Sequence, residues 1–124
     1  MAKDPRDTAT PEALVDLLLK IWRREALSPA QSTVLLDIMA GTESGRRRLR
    51  GLLPKGTQVI HKTGTVTGIV TNDADIITLP GSAGHVAIAV MVRESANAIP
   101  VQERAIAEIA RAVYDHFSLH PGGK

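Results

Sequence analysis

Lys62, Thr63 and Thr65, with Gly64 between the two threonines, are the residues whose types and spacing most directly offer chemistry. They bring an ammonium, two hydroxyls and a stretch of bare main chain into one short segment, His61-Lys62-Thr63-Gly64-Thr65. The preceding Val59-Ile60, the Thr- and Val-rich residues that follow, and the flanking Pro54, Gly56 and Gly68 predict a strand bounded by turns. Period-two alternation places Thr63 and Thr65 on one face. Gly64 would allow a ligand to approach the backbone. Such a set would cradle a carboxylate and an acyl oxygen, although Lys-Thr-Gly alone reads equally as an edge strand with a solvated lysine.

The elements that must position this strand are legible from periodicity. Thr10 caps a first helix with Pro11 at its first position and Glu12 beside its positive end. Its stripe is Leu14, Leu17, Leu18, Ile21 and Trp22, and Glu25 to Ser28 break the pattern. Ser28-Pro29-Ala30-Gln31 is a capping box opening a second helix with stripe Val34, Leu35, Ile38 and Met39, ended by Gly41. Ser44 to Leu53 reads as a short basic helix, with Leu49, Leu52 and Leu53 inward and Arg46, Arg47, Arg48 and Arg50 mostly outward. Three strands follow: Thr57 to Thr67; Ala74 to Leu79 after a polar turn at Thr71-Asn72-Asp73; and His85 to Val92 after Pro80-Gly81-Ser82-Ala83-Gly84. Short connections favour antiparallel neighbours. In the third strand Val86, Ile88, Val90 and Val92 share one face while Ala87, Ala89 and Met91 share the other, so both faces should be covered. Pro100 opens a last helix with stripe Ile106, Ile109, Val113 and Phe117. The fold class is therefore α+β: helices, a three-stranded antiparallel sheet, and a C-terminal helix packed on it, in one domain over residues 1–124.

Composition narrows the function classes. With 124 residues and 44% hydrophobic content the chain can bury a modest core built from Leu, Ile, Val and Ala, because Trp22, Tyr114 and Phe117 are its only aromatics. A net charge of +2 is too small to demand an anionic partner, and the four arginines near residue 48 have no stacking aromatic beside them, so nucleic acid is not assigned. No cysteine is present, which excludes disulfides and thiol chemistry. The apolar run Val86 to Val92 is too short to span a bilayer, and the polar Met1 to Glu12 is no signal peptide. His116 and His120 share a helix face but have no third ligand, so no metal and no cofactor is assigned.

The segment from Arg48-Leu49-Arg50-Gly51-Leu52-Leu53-Pro54-Lys55-Gly56 into His61-Lys62-Thr63-Gly64-Thr65, then Asn72-Asp73 and an apolar strand, resembles the C-terminal part of class A serine β-lactamases. Asp4-Pro5-Arg6-Asp7-Thr8-Ala9-Thr10-Pro11 resembles the exit of that family's omega loop, so the resemblance covers nearly the whole chain. It implies a partial β-lactamase/transpeptidase-like fold and the substrate-wall half of a hydrolase acting on β-lactam amide bonds. Lys62 would set the field around the catalytic groups, and Thr63 would bond the substrate carboxylate. Gly64 would permit close approach, and the Thr65 N–H would be one of two oxyanion-hole donors. Arg48 paired with Thr65 would supply the guanidinium that the carboxylate needs, the alternative being one surface arginine among four. Arg6 and Asp7 would be omega-loop remnants, with Asp7 exposed or paired to Arg6. His61 stands where the family often has an acid and either tunes Lys62 or packs beside the sheet.

One part of the family pattern is not met. The nucleophile lies there in a Ser-x-x-Lys motif, and none of the six serines here has lysine at the fourth place. Ser95-Ala96-Asn97 imitates a Ser-Asp-Asn motif but follows Lys-Thr-Gly instead of preceding it. The sequence therefore reads as catalytically incomplete alone, binding a β-lactam only with a complementing N-terminal half. The rival readings are a non-enzymatic fragment that self-associates, and part of a penicillin-binding-protein-like peptidase or esterase. The His85 to Val92 strand is expected to seek a second copy or a complementing chain. The family usually works in the periplasm or outside the cell, whereas the sequence as written carries no leader and would stay in the cytoplasm.

Overall fold

The computed structural model describes residues 8–121. Its elements run α1 (Pro11–Trp22), α2 (Pro29–Ala40), β1 (Val59–Val66), β2 (Val70–Thr78), β3 (His85–Arg93) and α3 (Ile99–Leu119). The strands form one antiparallel sheet in the order β1-β2-β3, so the α+β architecture expected from the sequence is the one observed. No helix among the described residues is long and apolar enough to cross a membrane.

The helix starts follow from local chemistry. Thr10 Oγ1 accepts from the Ala13 N–H at 3.1 Å, and Ser28 Oγ accepts from the Gln31 N–H at 3.2 Å, each satisfying a donor that the first turn leaves unpaired. α3 has no side-chain cap at Ala98, and two ion pairs line its exposed side, Arg104–Glu108 at 2.8 Å and Arg111–Asp115 at 2.9 Å. Such pairs support a helix by only ~0.3–0.5 kcal/mol each, so α3 depends on its buried stripe.

Alternation along the strands splits the sheet into two faces. Val59, Ile77, Leu79 and Ile88 join Leu49, Ile106, Ala110 and Tyr114 in one cluster beneath α3, with Val86, Val90 and Val92 against it. On the reverse face Ala74 and Ile76 meet Leu18 of α1 and Met39 of α2, with Ile60, Ala87 and Ala89 alongside. The two faces expected of β3 are thus both covered, one by α3 and one by α1 and α2.

Several expectations change. Residues 44–53 form consecutive turns and not a helix: the Arg48 N–H bonds Gly45 O, Gly51 N–H bonds Arg48 O, and Leu53 N–H bonds Arg50 O. Gly45 takes φ +69°, and Arg48 turns inward instead of outward, 6% exposed, because its charge finds partners on three other elements. Thr71-Asn72-Asp73 is not a turn either. The turn comes earlier, at Thr67–Ile69 with Gly68 at φ +77°, and the three polar residues pair in register with Thr65, Gly64 and Thr63. Hydrophilicity mimicked a loop there because the face is polar and buried.

The helix stripes are also rotated. Val34 and Ile38 of α2 are 58% and 64% exposed while Ser32, Leu36 and Met39 are buried. Leu17 of α1 is exposed, and in α3 Ile109 is 47% exposed whereas Ile106, Ala107, Ala110 and Tyr114 are buried. Small alanines, scored as neutral in a stripe, are what let α3 lie close to the sheet. Ile106→Ala should accordingly cost about 2–5 kcal/mol in denaturant unfolding and Ile109→Ala under about 1 kcal/mol. Equal losses would place the wrong face of α3 against the sheet.

Candidate functional site

The α3 face of the β1–β2 hairpin carries polar residues at every position nearest the turn. Register sets His61 opposite Asp75, Thr63 opposite Asp73, and Thr65 opposite Thr71. Only beyond them does the face become apolar, at Val59 and Ile77. The 44–53 segment closes over this polar end, bringing Ser44, Arg48 and Leu49 onto it.

Arg48 is the centre of the arrangement. Its Nη2 donates to Thr65 Oγ1 at 2.6 Å, its Nη1 to the Asn72 carbonyl at 2.9 Å, and its Nε to Glu103 Oε2 of α3 at 3.1 Å. A guanidinium offers five N–H groups, so two remain beyond these three bonds. Beside it Ser44 Oγ and Thr63 Oγ1 share a hydrogen bond of 3.0 Å. Arg48, Thr63 and Thr65 are thus gathered on one face. Lys62 projects from the other side of β1, is exposed, and its Nζ donates to the Thr63 carbonyl. Gly64 meets only Asn72 Cβ at the position a side chain would take. Gly45, at positive φ, packs so closely on the Thr63 methyl that any side chain would collide with it.

The ladder also fixes where the main chain points. The Thr78 N–H bonds the Gln58 carbonyl at 3.0 Å, and the Leu79 N–H bonds the Gly84 carbonyl at 2.8 Å. Alternation from these two bonds gives β1 its exchange with β2 at Ile60, Lys62 and Gly64, and turns the N–H and C=O of Thr63 and Thr65 toward the free edge of the sheet. The same rule turns those of Ala87, Ala89 and Met91 toward the outer edge of β3.

Beneath Arg48 lies a second polar group that the sequence did not single out. His61, Asp73 and Asp75 are fully shielded. His61 Nδ1 lies 3.6 Å from Asp73 Oδ1 and 3.8 Å from Asp75 Oδ1, while Nε2 bonds the Thr42 carbonyl at 3.1 Å. Asp73 Oδ2 accepts the Leu49 N–H at 3.2 Å. Burial, then the Asp73 charge, then a hydrogen bond shared with the Asp73 carboxylate push the Asp75 carboxyl up to about 10, against a smaller opposing pull from Arg50. His61 therefore does pack into the sheet, but against two acids. Period-two spacing of Thr71, Asp73 and Asp75 was the available signal, obscured by reading Thr71 and Asp73 as part of a turn. Glu103 and Ser44 were likewise missed, since nothing local marks a glutamate on a helix or a serine in a turn as partner to a distant residue.

Of the other residues with an expected role, Arg6 and Asp7 lie outside the described residues. Ser95-Ala96-Asn97 sits in the loop before α3, where Ser95 Oγ accepts the Asn97 N–H at 3.2 Å, far in sequence from the polar face. His116 and His120 stack at 4.7 Å between centroids.

The raised Asp75 carboxyl has a pH consequence. The folded chain holds a proton there that the unfolded chain releases above about 3.8, so the folded state binds more protons and stability falls as pH rises from about 4 toward about 10. In chelator-treated buffer, Asp75→Asn should flatten that slope and raise stability at pH 8 by about 1–3 kcal/mol, by removing the tendency to bury an unpaired charge. Unfolding curves across pH 5 to 9 with parallel slopes for both proteins would refute it.

Comparison with known proteins agrees with this fold. VEB-1 β-lactamase of Pseudomonas aeruginosa is 37% identical over 117 residues, a match that covers 88% of this chain and 38% of the relative. The extended-spectrum β-lactamase PER-1 of the same organism is 39% identical over 105 residues, covering 80% and 33%. Among solved structures, the TLA-1 extended-spectrum β-lactamase superposes with a TM-score of 0.84 at 45% identity, covering 89% of this chain and 42% of that one. A β-lactamase from Chitinophaga pinensis superposes with a TM-score of 0.81 at 41% identity, covering 87% and 42%. The chain thus spans roughly two-fifths of the length of these relatives. The family model described as the β-lactamase enzyme family matches residues 1–117, and with the whole sheet, the strand of Lys62 to Thr65 and nearly all of α3 inside the match, the chain belongs to that family, with structural neighbours in class A.

Proposed function

We propose that this chain forms the substrate-facing wall of a serine hydrolase that opens β-lactam amides, acting with a nucleophile supplied from outside the stretch described here. The observation that carries the reading is the free edge of β1 at Thr63 and Thr65, beside a hydroxyl held by a buried guanidinium. An N–H at that edge can stabilise an oxyanion in the plane of the strand, where one such donor is worth about 3–4 kcal/mol of barrier height. Thr63 and Thr65 hydroxyls, backed by the Arg48 charge, suit a substrate carboxylate on the same strand. Lys62 adds a second positive charge at that edge, through the Thr63 carbonyl. The names of the relatives, all β-lactamases, support the substrate class.

Arg48 takes a more specific role than surface recognition under this reading. It positions Thr65 and supplies charge from behind the strand, being itself almost fully enclosed. Because no serine has the Ser-x-x-Lys arrangement, the chain by itself should form no acyl adduct with a fluorescent penicillin, as read by intact mass. A stable adduct would sink the two-part reading. Combined with the nucleophile-bearing N-terminal part of a class A β-lactamase, activity should appear. Arg48→Ala and Lys62→Ala should then lower kcat/KM by about 10- to 150-fold, corresponding to about 1.5–3 kcal/mol per charge-assisted bond, with Arg46→Ala and Arg47→Ala near wild type. Equal effects of all four changes would overturn the arginine assignment.

The partner is proposed from the opposite edge. β3 ends the sheet with Ala87, Ala89 and Met91 directing main-chain groups outward, which favours pairing with a second copy or a complementing chain. Ala89→Pro removes one outward donor without touching the β2 ladder, so it should shift sedimentation of the isolated chain from dimer toward monomer. A wild type that stays monomeric at high micromolar concentration would refute the pairing.

A further inference from the structure

We propose that His61, Asp73 and Asp75 form a buried site for one divalent transition-metal cation, with zinc the ion its donors fit best. The three residues offer one ligand atom each, all within 4.8 Å of one another, and they are the only group of three His, Cys, Asp or Glu among the described residues that converges this way. His61 Nδ1, Asp73 Oδ1 and both Asp75 oxygens are buried without a well-formed hydrogen bond, and one such atom from each residue joins the converging set.

The outer contacts of the group orient it for a cation. A carbonyl oxygen only accepts, so in the neutral imidazole the bond from Nε2 to Thr42 O places the proton on Nε2 and leaves the Nδ1 lone pair directed at the two carboxylates. A ring N–H donated to a backbone carbonyl is the usual support of a metal-binding histidine. The same carbonyl also accepts from Arg50 Nη1 at 3.2 Å, which fixes its direction. On the other side the Leu49 N–H occupies Asp73 Oδ2 and leaves Oδ1 turned inward. Lone pairs opposed at 3.6 and 3.8 Å repel one another unless a proton or a metal cation lies between them. Two ligands at ~2.0–2.1 Å on a tetrahedral ion stand ~3.4 Å apart, so contractions of a few tenths of an ångström bring both carboxylates onto a common ion with Nδ1.

The donor set selects the ion. One imidazole and two carboxylates match zinc, cobalt or nickel, whereas calcium and magnesium require more oxygen ligands than three enclosed side chains provide. Two carboxylates balance the ion's double charge in a space closed to water. Because the ligands come from adjacent strands, the cation would tie His61 of β1 to Asp75 opposite it on β2, directly behind the Lys62 to Thr65 segment. Binding would accompany folding, since no path from solvent to a fully buried site is needed if the ion is captured as the hairpin closes.

The test is refolding of the full chain with one equivalent of zinc sulfate or with chelator, followed by desalting. One bound zinc per chain by elemental analysis, a chelator-reversible rise in Tm, and a large shift of the His61 Nδ1 nitrogen resonance with Nε2 little moved are the expected results. His61→Asn and Asp75→Asn should each weaken zinc binding by more than the ~10- to 100-fold that loss of an outer-shell partner costs. The double variant His116→Gln/His120→Gln should bind as wild type does. No zinc after refolding, an unmoved Nδ1 resonance, or undiminished binding in the His61 and Asp75 variants would each overturn the site. The resonance is read on wild-type protein, so the site stays falsifiable even if both variants fail to fold. A triad that holds a proton and no metal would give the first two of those outcomes.

Discussion

A guanidinium cannot be taken out of water without partners, and the enclosure of Arg48 is the constraint around which this chain is assembled. Its three acceptors come from β1, β2 and α3: a threonine hydroxyl, a backbone carbonyl and a glutamate. Removal of any one leaves a buried charge short of a bond, a loss that commonly costs several kcal/mol. The turns at 44–53, which have no helical ladder of their own, are held in place by this residue, by the Leu49 N–H on Asp73, and by Arg111 Nη1 on the Leu52 carbonyl at 3.1 Å. Leu49 then fills the core beneath α3. One charged side chain thus couples the irregular segment to both strands and to the last helix.

The polar face beneath Arg48 gives the hairpin a graded character. Toward the turn it carries Thr63 and Thr65, open to the strand edge and backed by an enclosed guanidinium; in its middle it carries a histidine and two acids sealed from solvent; toward Val59 and Ile77 it is hydrocarbon. Electrostatic effects strengthen along this gradient because screening by water weakens. The strand that faces substrate in the proposed function is therefore backed by an acid, Asp75, whose charge state is set by enclosure. The reverse face of the same strands has no such groups and packs as ordinary core against α1 and α2.

Much of this was readable before any coordinates. Caps at Thr10 and Ser28, prolines at the first helical turns, alternation in β3 and the strand of Lys62 to Thr65 all speak through local rules, and each stands where the sequence places it. The pairing of Arg48 with Thr65 was legible only through family resemblance. What failed did so for physical reasons. A buried polar strand, Thr71 to Asp75, has the composition of a loop. An arginine satisfied by distant partners looks like a surface arginine, and alanines that admit close helix packing carry little hydrophobic signal while exposed Ile38 and Ile109 carry much. Glu103 and Asp75 act through residues remote in sequence, and periodicity has no access to such contacts.

The buried rungs of the hairpin also specify its alignment. Side chains alternate with a period of two, so a slip of one residue between β1 and β2 would carry Asp73 and Asp75 to the face packed on α1 and α2, toward Leu18, Met39 and Ala87. An all-valine hairpin would tolerate several registers with similar hydrophobic gain. Here a mispaired hairpin takes both carboxyl groups away from His61 and the Leu49 N–H and leaves Lys62 able to answer only one of them, so the native register is favoured. The residues that make this sheet polar inside are thus the ones that give it a single alignment.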